Sequence, residues 1–418
     1  TTGQQPQAMQ LCFADTLGRT PVMSMISVAE AITRLRDTGS IRVESEKCRL
    51  KACPGRVLAS DVVATINVPP ADNSAMDGYA LCRKDWQGPD QPLEISQRII
   101  AGTPPEPLKA GTAARIFTGA EIPAGADIVV MQEKCNADGR LVRMKDVGES
   151  GANIRPKGQD IESGATVLKA GHRLRPQDIG LIASLGFAQV DVWQRLKVAI
   201  VSTGSELVEP GGPVKPGQIY NSNHYMLDAL IRNWGFEVVD LGITEDDPKV
   251  LGDVMARASR EADAIVTTGG VSVGEEDHVK SVVEALGHLD LWRVAIKPGK
   301  PFAFGDVQGT PFIGLPGNPV SALVTLLIIG RPFLFDIQGA RNHDIVPQKH
   351  TALFDLKGCN RQVYLRVRSS VDGVEMFSQQ SSGALFSTAW GDGMVVQQPF
   401  QDIRHGDTVD VIPFVMFN

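Results

Sequence analysis

The chain is poor in cysteine and aromatic residues and has no long apolar segment. Aromatic residues make up 6% of its 418 positions, and the longest apolar run, residues 320–329, is far shorter than the roughly 20 residues that cross a bilayer. No CxxC pair occurs, which is typical of reduced thiols in the cytoplasm. We therefore expect a cytoplasmic protein without a membrane span. The six cysteines are Cys12, Cys48, Cys53, Cys82, Cys135 and Cys359.

Several common motifs are missing, and each absence excludes a class of enzyme. The seven histidines show no HExxH or other metal spacing, and Cys82 and Cys135 have no paired base in the sequence. Neither GxxxxGK[ST] nor GxGxxG occurs, which argues against ordinary NTPases and dehydrogenases. The start, TTGQQPQAMQ, lacks the apolar segment of a signal peptide, and we expect residues 1–20 to form a disordered tail.

Charge and composition also limit the partners. Lys and Arg number 41 and Asp and Glu 48, which gives a net charge of −7 and argues against a general binder of nucleic acid or anionic membranes. Glycine and proline are abundant instead, at 42 and 26 residues. Many turns, and Gly-rich loops suited to a ligand, are therefore expected.

The pattern of predicted elements divides the chain into four domains. Strands alternate with amphipathic helices in the third, which predicts a doubly wound, mostly parallel α/β sheet covered on both faces. Short strands and turns fill the second and fourth. The expected fold class is multidomain, α/β plus β. The predicted bounds are 21–66 with 164–195 for a discontinuous first domain, 67–163 for a β-rich second, 196–342 for the α/β third and 343–418 for a small C-terminal β-barrel.

Polar loops follow the strands of the predicted α/β sheet. Because ligands bind beyond the carboxyl ends of such strands, glycine, hydroxyl, carboxylate and lysine side chains are expected to meet at one edge. The loops are STGSEL (202–207), TEDDP (244–248), TTGGVSVGEED (267–277), KPGKP (297–301) and LPGNPVS (315–321).

Each loop also has a plainer interpretation. TTGGVSVG is either a turn or a phosphate cradle. Asp246 and Asp247, before Pro248, are either helix caps or, with Glu206 and Asp277, part of a carboxylate cluster suited to Mg²⁺. The two lysines of KPGKP are either a solvated pair or an anion site. In NSAMDGYAL (73–81), the aspartate before glycine is by itself an ordinary turn former.

Taken together, six ordered motifs resemble the molybdopterin molybdenumtransferase family, which includes bacterial MoeA and the gephyrin E-domain. They are SAMDGYA, IFTGAEIPAGAD, STGSEL, TTGGVSVGEED, IKPGKPFAFG and GLPGNPVSA. The resemblance runs from about residue 24 to the C-terminus and implies a MogA/MoaB-like third domain in an elongated homodimer, with a site shared between subunits. The implied reaction hydrolyses adenylylated molybdopterin and inserts molybdate into the dithiolene, giving molybdenum cofactor and AMP.

The resemblance also implies roles for individual residues. Asp246, Asp277 and Glu206 would hold or orient Mg²⁺ and the hydrolytic water, and Lys297 and Lys300 would neutralise phosphate or molybdate. Asp77, Thr118 and Asp160 of the second domain would act across the dimer, and Arg366 and Ser382 are candidates for holding molybdate. Arg293 stands where the family has lysine. The implied substrate-binding residues are Ser202, Thr203, Gly204, Thr268, Gly269, Gly270, Ser272, Gly274, Arg293, Pro298, Pro316, Gly317, Asn318, Pro319 and Ser321.

Other functions remain open at this stage. A molybdopterin adenylyltransferase, which consumes ATP, has a fold that resembles the predicted α/β domain. An amidohydrolase family uses the same domain, but SAMDGYA does not fit it. A non-catalytic scaffold of the gephyrin type is a further alternative, and docking to an adenylyltransferase is a further possible partnership.

Overall fold

The computed structural model describes residues 25–270 and 278–418, which divide into two compact units. The α/β unit consists of residues 25–39, 196–334 and 344–418, and the β-rich unit consists of residues 40–195 and 335–343. Each unit is therefore assembled from separated stretches of chain. Ser272, Gly274 and Asp277, named above as site residues, lie outside the described residues.

The helices follow the apolar periodicity of the sequence. In chain order, the described α-helices are α1 (Val28–Thr38), α2 (Pro176–Ser184), α3 (Ser222–Asn233), α4 (Pro248–Glu261), α5 (His278–Leu286), α6 (Pro319–Thr325), α7 (Arg331–Ile337) and α8 (Phe386–Trp390).

Strands before residue 196 are mostly short. They are β1 (Ser45–Arg49), β2 (Val62–Val63), β3 (Asn73–Ser74), β4 (Gly78–Leu81), β5 (Leu93–Ile99), β6 (Thr112–Ile116), β7 (Ile128–Met131), β8 (Cys135–Asp138), β9 (Leu141–Met144), β10 (Ile154–Arg155), β11 (Thr166–Leu168) and β12 (Gln189–Trp193).

The strands after residue 196 include several longer ones. They are β13 (Lys197–Thr203), β14 (Leu207–Val208), β15 (Ile219–Tyr220), β16 (Glu237–Thr244), β17 (Ala264–Thr268), β18 (Gly287–Arg293), β19 (Ile296–Lys297), β20 (Pro301–Val307), β21 (Thr310–Leu315), β22 (Gln348–Thr351), β23 (Gln362–Ser369), β24 (Val374–Met376), β25 (Gly393–Gln397) and β26 (Thr408–Pro413).

A six-stranded sheet organises the α/β unit. Its order is β16-β13-β17-β21-β20-β18, and the first four strands are parallel. β20 runs antiparallel to both of its neighbours. The predicted mostly parallel sheet is confirmed, with antiparallel pairing confined to one side. Strand β13 is buried except at Lys197, as expected of a strand covered on both faces.

Helix α4 beside this sheet begins where the sequence provides a cap. Asp247 accepts hydrogen bonds from the backbone amides of Lys249 and Val250, and Pro248 occupies the first turn of α4. The helix then buries Leu251 and Met255 against the sheet. This arrangement positions the TEDDP loop between the end of β16 and the start of α4.

The apolar run 320–329 predicts a buried helix, and the helix in the structure extends beyond that run. Residues Pro319–Ile337 are helical throughout, with a π-helical turn at Leu326–Gly330. Its 19 residues and mean hydropathy of 1.8 would suffice for a membrane span, but 89% of its most apolar window is buried inside the protein. That burial is typical of a core helix, as the sequence predicted.

The C-terminal residues form one mixed sheet. Its order is β19-β23-β25-β26-β22, and β24 pairs with β23. β19, which contains Lys297, pairs in parallel with β23. The KPGKP loop (297–301), called the lysine loop below, is therefore anchored in the C-terminal sheet. Closure of this sheet into a barrel stays a prediction.

The β-rich unit contains several apolar clusters, and two of them show how it is assembled. One surrounds Cys53, Leu58 and Val192, where β1 pairs with β12 and joins the separated segments. The other lies in the six-stranded sheet β7-β4-β6-β5-β9-β8, around Leu81 and Val130. The five described cysteines are unpaired, and Cys12 lies outside the described residues.

The contacts of the first helix differ from its predicted grouping with residues 164–195. Residues 25–39 belong to the α/β unit, where Ile26 forms a bridge with Val294 and α1 contacts the π-helical turn. Its apolar face, Val28, Ala31 and Leu35, is buried. Residues 335–343 belong to the β-rich unit instead of the predicted α/β domain. Periodicity predicts a helix, but it does not say which core the apolar face enters.

Candidate functional site

The loops expected to meet at one edge of the α/β sheet do so. Thr203 at the end of β13 is in register with Thr244, and Thr268 at the end of β17 is in register with Leu315. Arg293, the last residue of β18, pairs with Pro301 at the start of β20. The antiparallel strands therefore bring the lysine loop to the same edge as the parallel ones.

The turn after β13 depends on a glycine. Gly204 has φ +147°, and a Cβ there would lie 2.6 Å from Oε2 of Glu206. The amide of Leu207 donates to the carbonyl of Gly204 at 3.1 Å and closes the turn. The Glu206 carboxylate consequently lies against the Gly204 backbone, at the end of the strand.

A glycine pair after β17 brings three loops together. Gly269 and Gly270 have φ of +85° and +66°, and a Cβ on Gly269 would lie 2.7 Å from the carbonyl oxygen of Thr203. A Cβ on Gly317 would lie 3.8 Å from Cα of Gly269. Side chains at Gly269 and Gly270 would push the loops apart, because positive φ disfavours L-residues and the space beside both is already filled. The loop has the close backbone approach that a phosphate cradle requires.

Buried hydroxyls at this edge have no partner within the described residues. They are Ser202 Oγ, Thr244 Oγ1 and Thr267 Oγ1, near the ends of three adjacent strands. The same is true of Asn223 Oδ1, although its Nδ2 donates to the carbonyl of Gly317 at 2.7 Å. Buried polar groups are normally satisfied, so such a concentration indicates where a polar ligand binds.

The two aspartates of TEDDP have different roles. Asp247 Oδ1 lies 2.9 Å from the amides of Lys249 and Val250 and caps α4, as the plainer interpretation predicted. Asp246 is exposed beside it. Within residues 25–270 and 278–418, no three His, Cys, Asp or Glu side chains lie close enough to hold a metal ion. Asp277, the third carboxylate of the predicted cluster, lies outside the described residues, so the magnesium cluster stays a prediction.

The lysine loop is rigid in its backbone and exposed at its amines. Pro298 and Gly299 are buried, and a Cβ on Gly299 would lie 2.2 Å from Thr325 Oγ1. The carbonyl of Lys300 accepts from the amide of Val294 at 2.9 Å. Both lysine side chains are exposed and Arg293 is half-buried. Three cationic residues therefore lie at one end of the sheet, as small anions require.

The start of α6 is in contact with the C-terminal sheet. Asn318 precedes the helix, Pro319 begins it, and Ser321 is buried in the first turn. The amide of Val320 donates to the carbonyl of Ser382 at 3.0 Å. Ser382 thus lies beside the LPGNPVS loop, as a residue of the same site would.

Arg366 supports the segment that carries Ser382. Its guanidinium is buried and donates to Ser387 Oγ at 3.0 Å, to the carbonyl of Tyr364 at 3.1 Å and to that of Ser381 at 3.3 Å. Burial lowers the pKa of Arg366 to about 10. The charge is stabilised by neutral oxygens, and in this position Arg366 orients the backbone around residue 381.

In the β-rich unit, Asp77 and Thr118 are hydrogen-bonded to each other. Oδ1 of Asp77 accepts from the amide and from the hydroxyl of Thr118, each at 2.8 Å. These bonds hold the pKa of Asp77 below its usual range, and the bond from the backbone amide has the larger effect. Asp160 is exposed in a different turn, where its amide donates to the carbonyl of Val68 at 3.0 Å. Asp77 is therefore an ionised group at a fixed position.

Arg115 belongs to none of the motifs identified in the sequence. Its guanidinium lies 4.6 Å from the ring centre of Phe117 and 5.1 Å from that of Tyr79, and Nη1 donates to the carbonyl of Gly78 at 3.0 Å. Its charge also contributes to lowering the pKa of Asp77. The motif IFTGAEIPAGAD begins directly after Arg115, so the signal was adjacent but did not include it.

Comparisons with known proteins identify the family. A family model described as the MoeA N-terminal region (domain I and II) matches residues 26–186, and a model of a probable molybdopterin binding domain matches residues 199–336. The molybdopterin molybdenumtransferase of Haemophilus influenzae is 36% identical over 408 residues, which cover 93% of this chain and 99% of that protein.

Further relatives extend the similarity to solved structures. Molybdopterin molybdenumtransferase 2 of Mycobacterium tuberculosis is 41% identical over 294 residues, 68% of this chain and 73% of that protein. The crystal structure of the molybdopterin biosynthesis MoeA protein from Pyrococcus horikoshii OT3 matches with a TM-score of 0.82 at 27% identity, over 94% of this chain and 100% of that one. Sequence and fold thus agree that this chain belongs to the molybdopterin molybdenumtransferase family.

Proposed function

We propose that this protein hydrolyses adenylylated molybdopterin and inserts molybdate into the dithiolene, releasing molybdenum cofactor and AMP. The observation that carries the proposal is the edge of the α/β sheet, where Lys297, Lys300 and Arg293 lie beside glycine loops and unpartnered hydroxyls. An anionic substrate meets positive charge and hydrogen-bond donors there. The Haemophilus influenzae relative, which matches 93% of this chain, is named molybdopterin molybdenumtransferase.

Each group at the edge has a chemical task in this proposal. The exposed ammonium groups of Lys297 and Lys300 bind the phosphate and molybdate oxygens and stabilise charge as the phosphoanhydride bond breaks. The backbone amides near Gly269 and Gly270 orient the phosphates. Water adds to phosphorus and AMP leaves. The proton released from water is accepted by a carboxylate at the edge, and the exposed Asp246 has this role.

Magnesium fits the residues present at this edge. Asp246 and Glu206 follow neighbouring strands that are in register at Thr203 and Thr244. Mg²⁺ needs only one or two protein carboxylates, because substrate phosphates and water complete its coordination. When bound, Mg²⁺ would stabilise negative charge on phosphate oxygens. Asp277, which the family resemblance assigns to the same role, completes the proposed ligand set.

The β-rich unit contributes to the proposed site across a homodimer. Asp77, Thr118 and Asp160 lie in this unit, whereas Lys297 and Asp246 lie in the α/β unit. In the proposed two-fold dimer, the β-rich unit of one subunit completes the site of its partner. We further propose that the enzyme acts in the cytoplasm, where its unpaired cysteines remain reduced, and that it receives its substrate from a docked adenylyltransferase.

Release of AMP tests the proposed reaction. Purified protein supplied with adenylylated molybdopterin, Mg²⁺ and molybdate should release AMP and form the cofactor. Asp246→Asn and Lys297→Ala should each lower this rate at least about 100-fold, because each removes charge that stabilises the transition state.

Matched controls make the same charge changes at exposed positions outside the edge loops. Asp253→Asn, on the exposed side of α4, and Lys215→Ala should retain the wild-type rate. Turnover of ATP with molybdopterin, without action on the adenylylated form, would replace the proposed reaction with that of the adenylyltransferase.

A further inference from the structure

A cleft of about 320 Å³ opens in the β-rich unit next to Asp77 and Thr118. Gly119, which follows Thr118 in the chain, lines it. Its volume is at the lower end for small-molecule pockets and suits a single heterocycle better than a whole nucleotide-bearing substrate. Pro70, Asn73, Gly102 and Glu121 also line the cleft.

Two hydrogen-bond acceptors lie side by side in this cleft. Asn73 and Glu121 face each other across an antiparallel bridge. The flanking bonds run from the amide of Ser74 to the carbonyl of Ala120 and from the amide of Ile122 to the carbonyl of Asp72. This makes Asn73 and Glu121 a non-hydrogen-bonded pair, whose side chains lie on the same face and closest together.

The acceptors lack donors of their own among the described residues. Asn73 Oδ1 is buried without a hydrogen-bond partner, and the Glu121 side chain is exposed at the cleft. A carboxylate accepts hydrogen bonds and repels anions. The cleft therefore suits a neutral or cationic ring with adjacent N–H donors, and it does not suit phosphate or molybdate.

Glycines leave space for a flat ring. Gly102 and Gly119 have φ of +85° and +80°, and a Cβ at either would meet no other atom within 4 Å. Both backbones are therefore open to a ligand on the side where a side chain would project. The ring would lie against backbone and Pro70, another residue of the cleft wall.

We propose that this cleft binds the aminopyrimidinone edge of the pterin ring of the substrate. The exocyclic amino group and the neighbouring ring N–H are the paired donors that Glu121 and Asn73 Oδ1 require. The inference rests on the proposed function for the identity of the substrate. It assigns recognition of the pterin to the β-rich unit, whereas the lysine loop of the α/β unit recognises phosphate and molybdate.

Binding of free pterin tests the cleft without any catalytic step. Pterin and lumazine are compared by fluorescence titration, because lumazine carries a carbonyl oxygen in place of the exocyclic amino group. The wild-type protein should bind pterin about tenfold more tightly than lumazine, which corresponds to one charge-assisted hydrogen bond. Glu121→Gln should remove most of this preference, since the amide presents a donor as readily as an acceptor.

A second variant and a matched control make the test specific. Asn73→Leu should weaken pterin binding, while Glu94→Gln, an equal charge change at an exposed position of β5, should leave the preference intact. Equal affinity for pterin and lumazine, or an unchanged preference in Glu121→Gln, overturns the cleft assignment whether or not AMP is released. Failure to release AMP overturns the proposed function whatever the pterin affinity.

Discussion

Hydrogen bonds keep two aspartates of the β-rich unit ionised, one exposed and one buried. Asp77 is held by Thr118 at the candidate site. Asp178, which is buried, accepts from the Arg175 amide and from His172 Nε2, each at 2.8 Å, and from Arg175 Nε at 3.0 Å. Burial alone would raise the pKa of Asp178, but the bonds from Arg175 and His172 outweigh it and hold that pKa far below its ordinary value.

Asp178 should make stability depend on acid pH. Its folded pKa lies below the unfolded value of about 3.9, so its stabilisation is complete above that pH and is lost as pH falls towards the folded pKa. Asp178→Asn should lower the free energy of unfolding at pH 7 by roughly 3 kcal/mol and flatten its loss on acidification. Urea unfolding at pH 7 and pH 3.5 measures both effects.

A surface pair in the same unit provides the comparison. Asp191 pairs with Lys47 in an exposed salt bridge, which is worth little in water. Asp191→Asn should therefore resemble the wild type at both pH values. If the free energy of unfolding fell equally between pH 7 and pH 3.5 in the wild type and in Asp178→Asn, Asp178 would not be the source of the acid dependence.

At the scale of elements, helix α4 separates a structural carboxylate from a candidate catalytic one. Asp247 bonds two amides of the first turn, whereas the adjacent Asp246 is exposed at the strand edge. Asp247→Ala should cost about 1 kcal/mol of stability, as loss of a helix cap does, and leave the rate of AMP release within a few-fold.

The neighbouring substitution should show the opposite pattern. Asp246→Asn should leave the midpoint of thermal unfolding near that of the wild type while activity falls. The unfolding midpoint and the rate of AMP release are measured for both variants. If Asp247→Ala lost activity but kept normal stability, Asp247 and not Asp246 would be the catalytic carboxylate.

The sequence predicted elements best where a local signal sets a boundary. The start of α4 follows from Asp247 and Pro248, and the positions of the edge loops follow from the order of the strands. Gly330 and Pro332 indicate the end of a helix, yet the chain continues to Ile337 because burial of an apolar helix and its π-helical turn override these signals. Contacts between distant segments, such as Arg366 with Ser387, have no local signature.

At the scale of the whole molecule, the candidate groups are divided between two units. Asp77 belongs to the β-rich unit and Lys297 to the α/β unit. In the proposed dimer each site takes one group from each subunit, which makes a mixing experiment decisive. Composition and spacing did not indicate this division, which only the family resemblance implied.

Two inactive variants should restore activity when their subunits are mixed. Asp77→Asn and Lys297→Ala, denatured together and refolded, should recover about a quarter of the wild-type rate, because half of randomly formed two-fold dimers contain one intact site. Each variant refolded alone is the control. No recovery, in a sample that light scattering shows to be dimeric, would place both groups in the same subunit's site.

The path of the chain through the two units also bears on protein synthesis. The α/β unit takes the stretches 25–39 and 344–418, and the β-rich unit lies between them in sequence, as 40–195 and 335–343. On the ribosome, where domains fold as units, the β-rich unit can be complete once residue 343 emerges. The α/β unit must wait for β22 to β26. A chain interrupted soon after residue 343 would therefore carry a finished β-rich unit and an α/β unit that lacks its C-terminal sheet. Quality control would meet the molecule in that state.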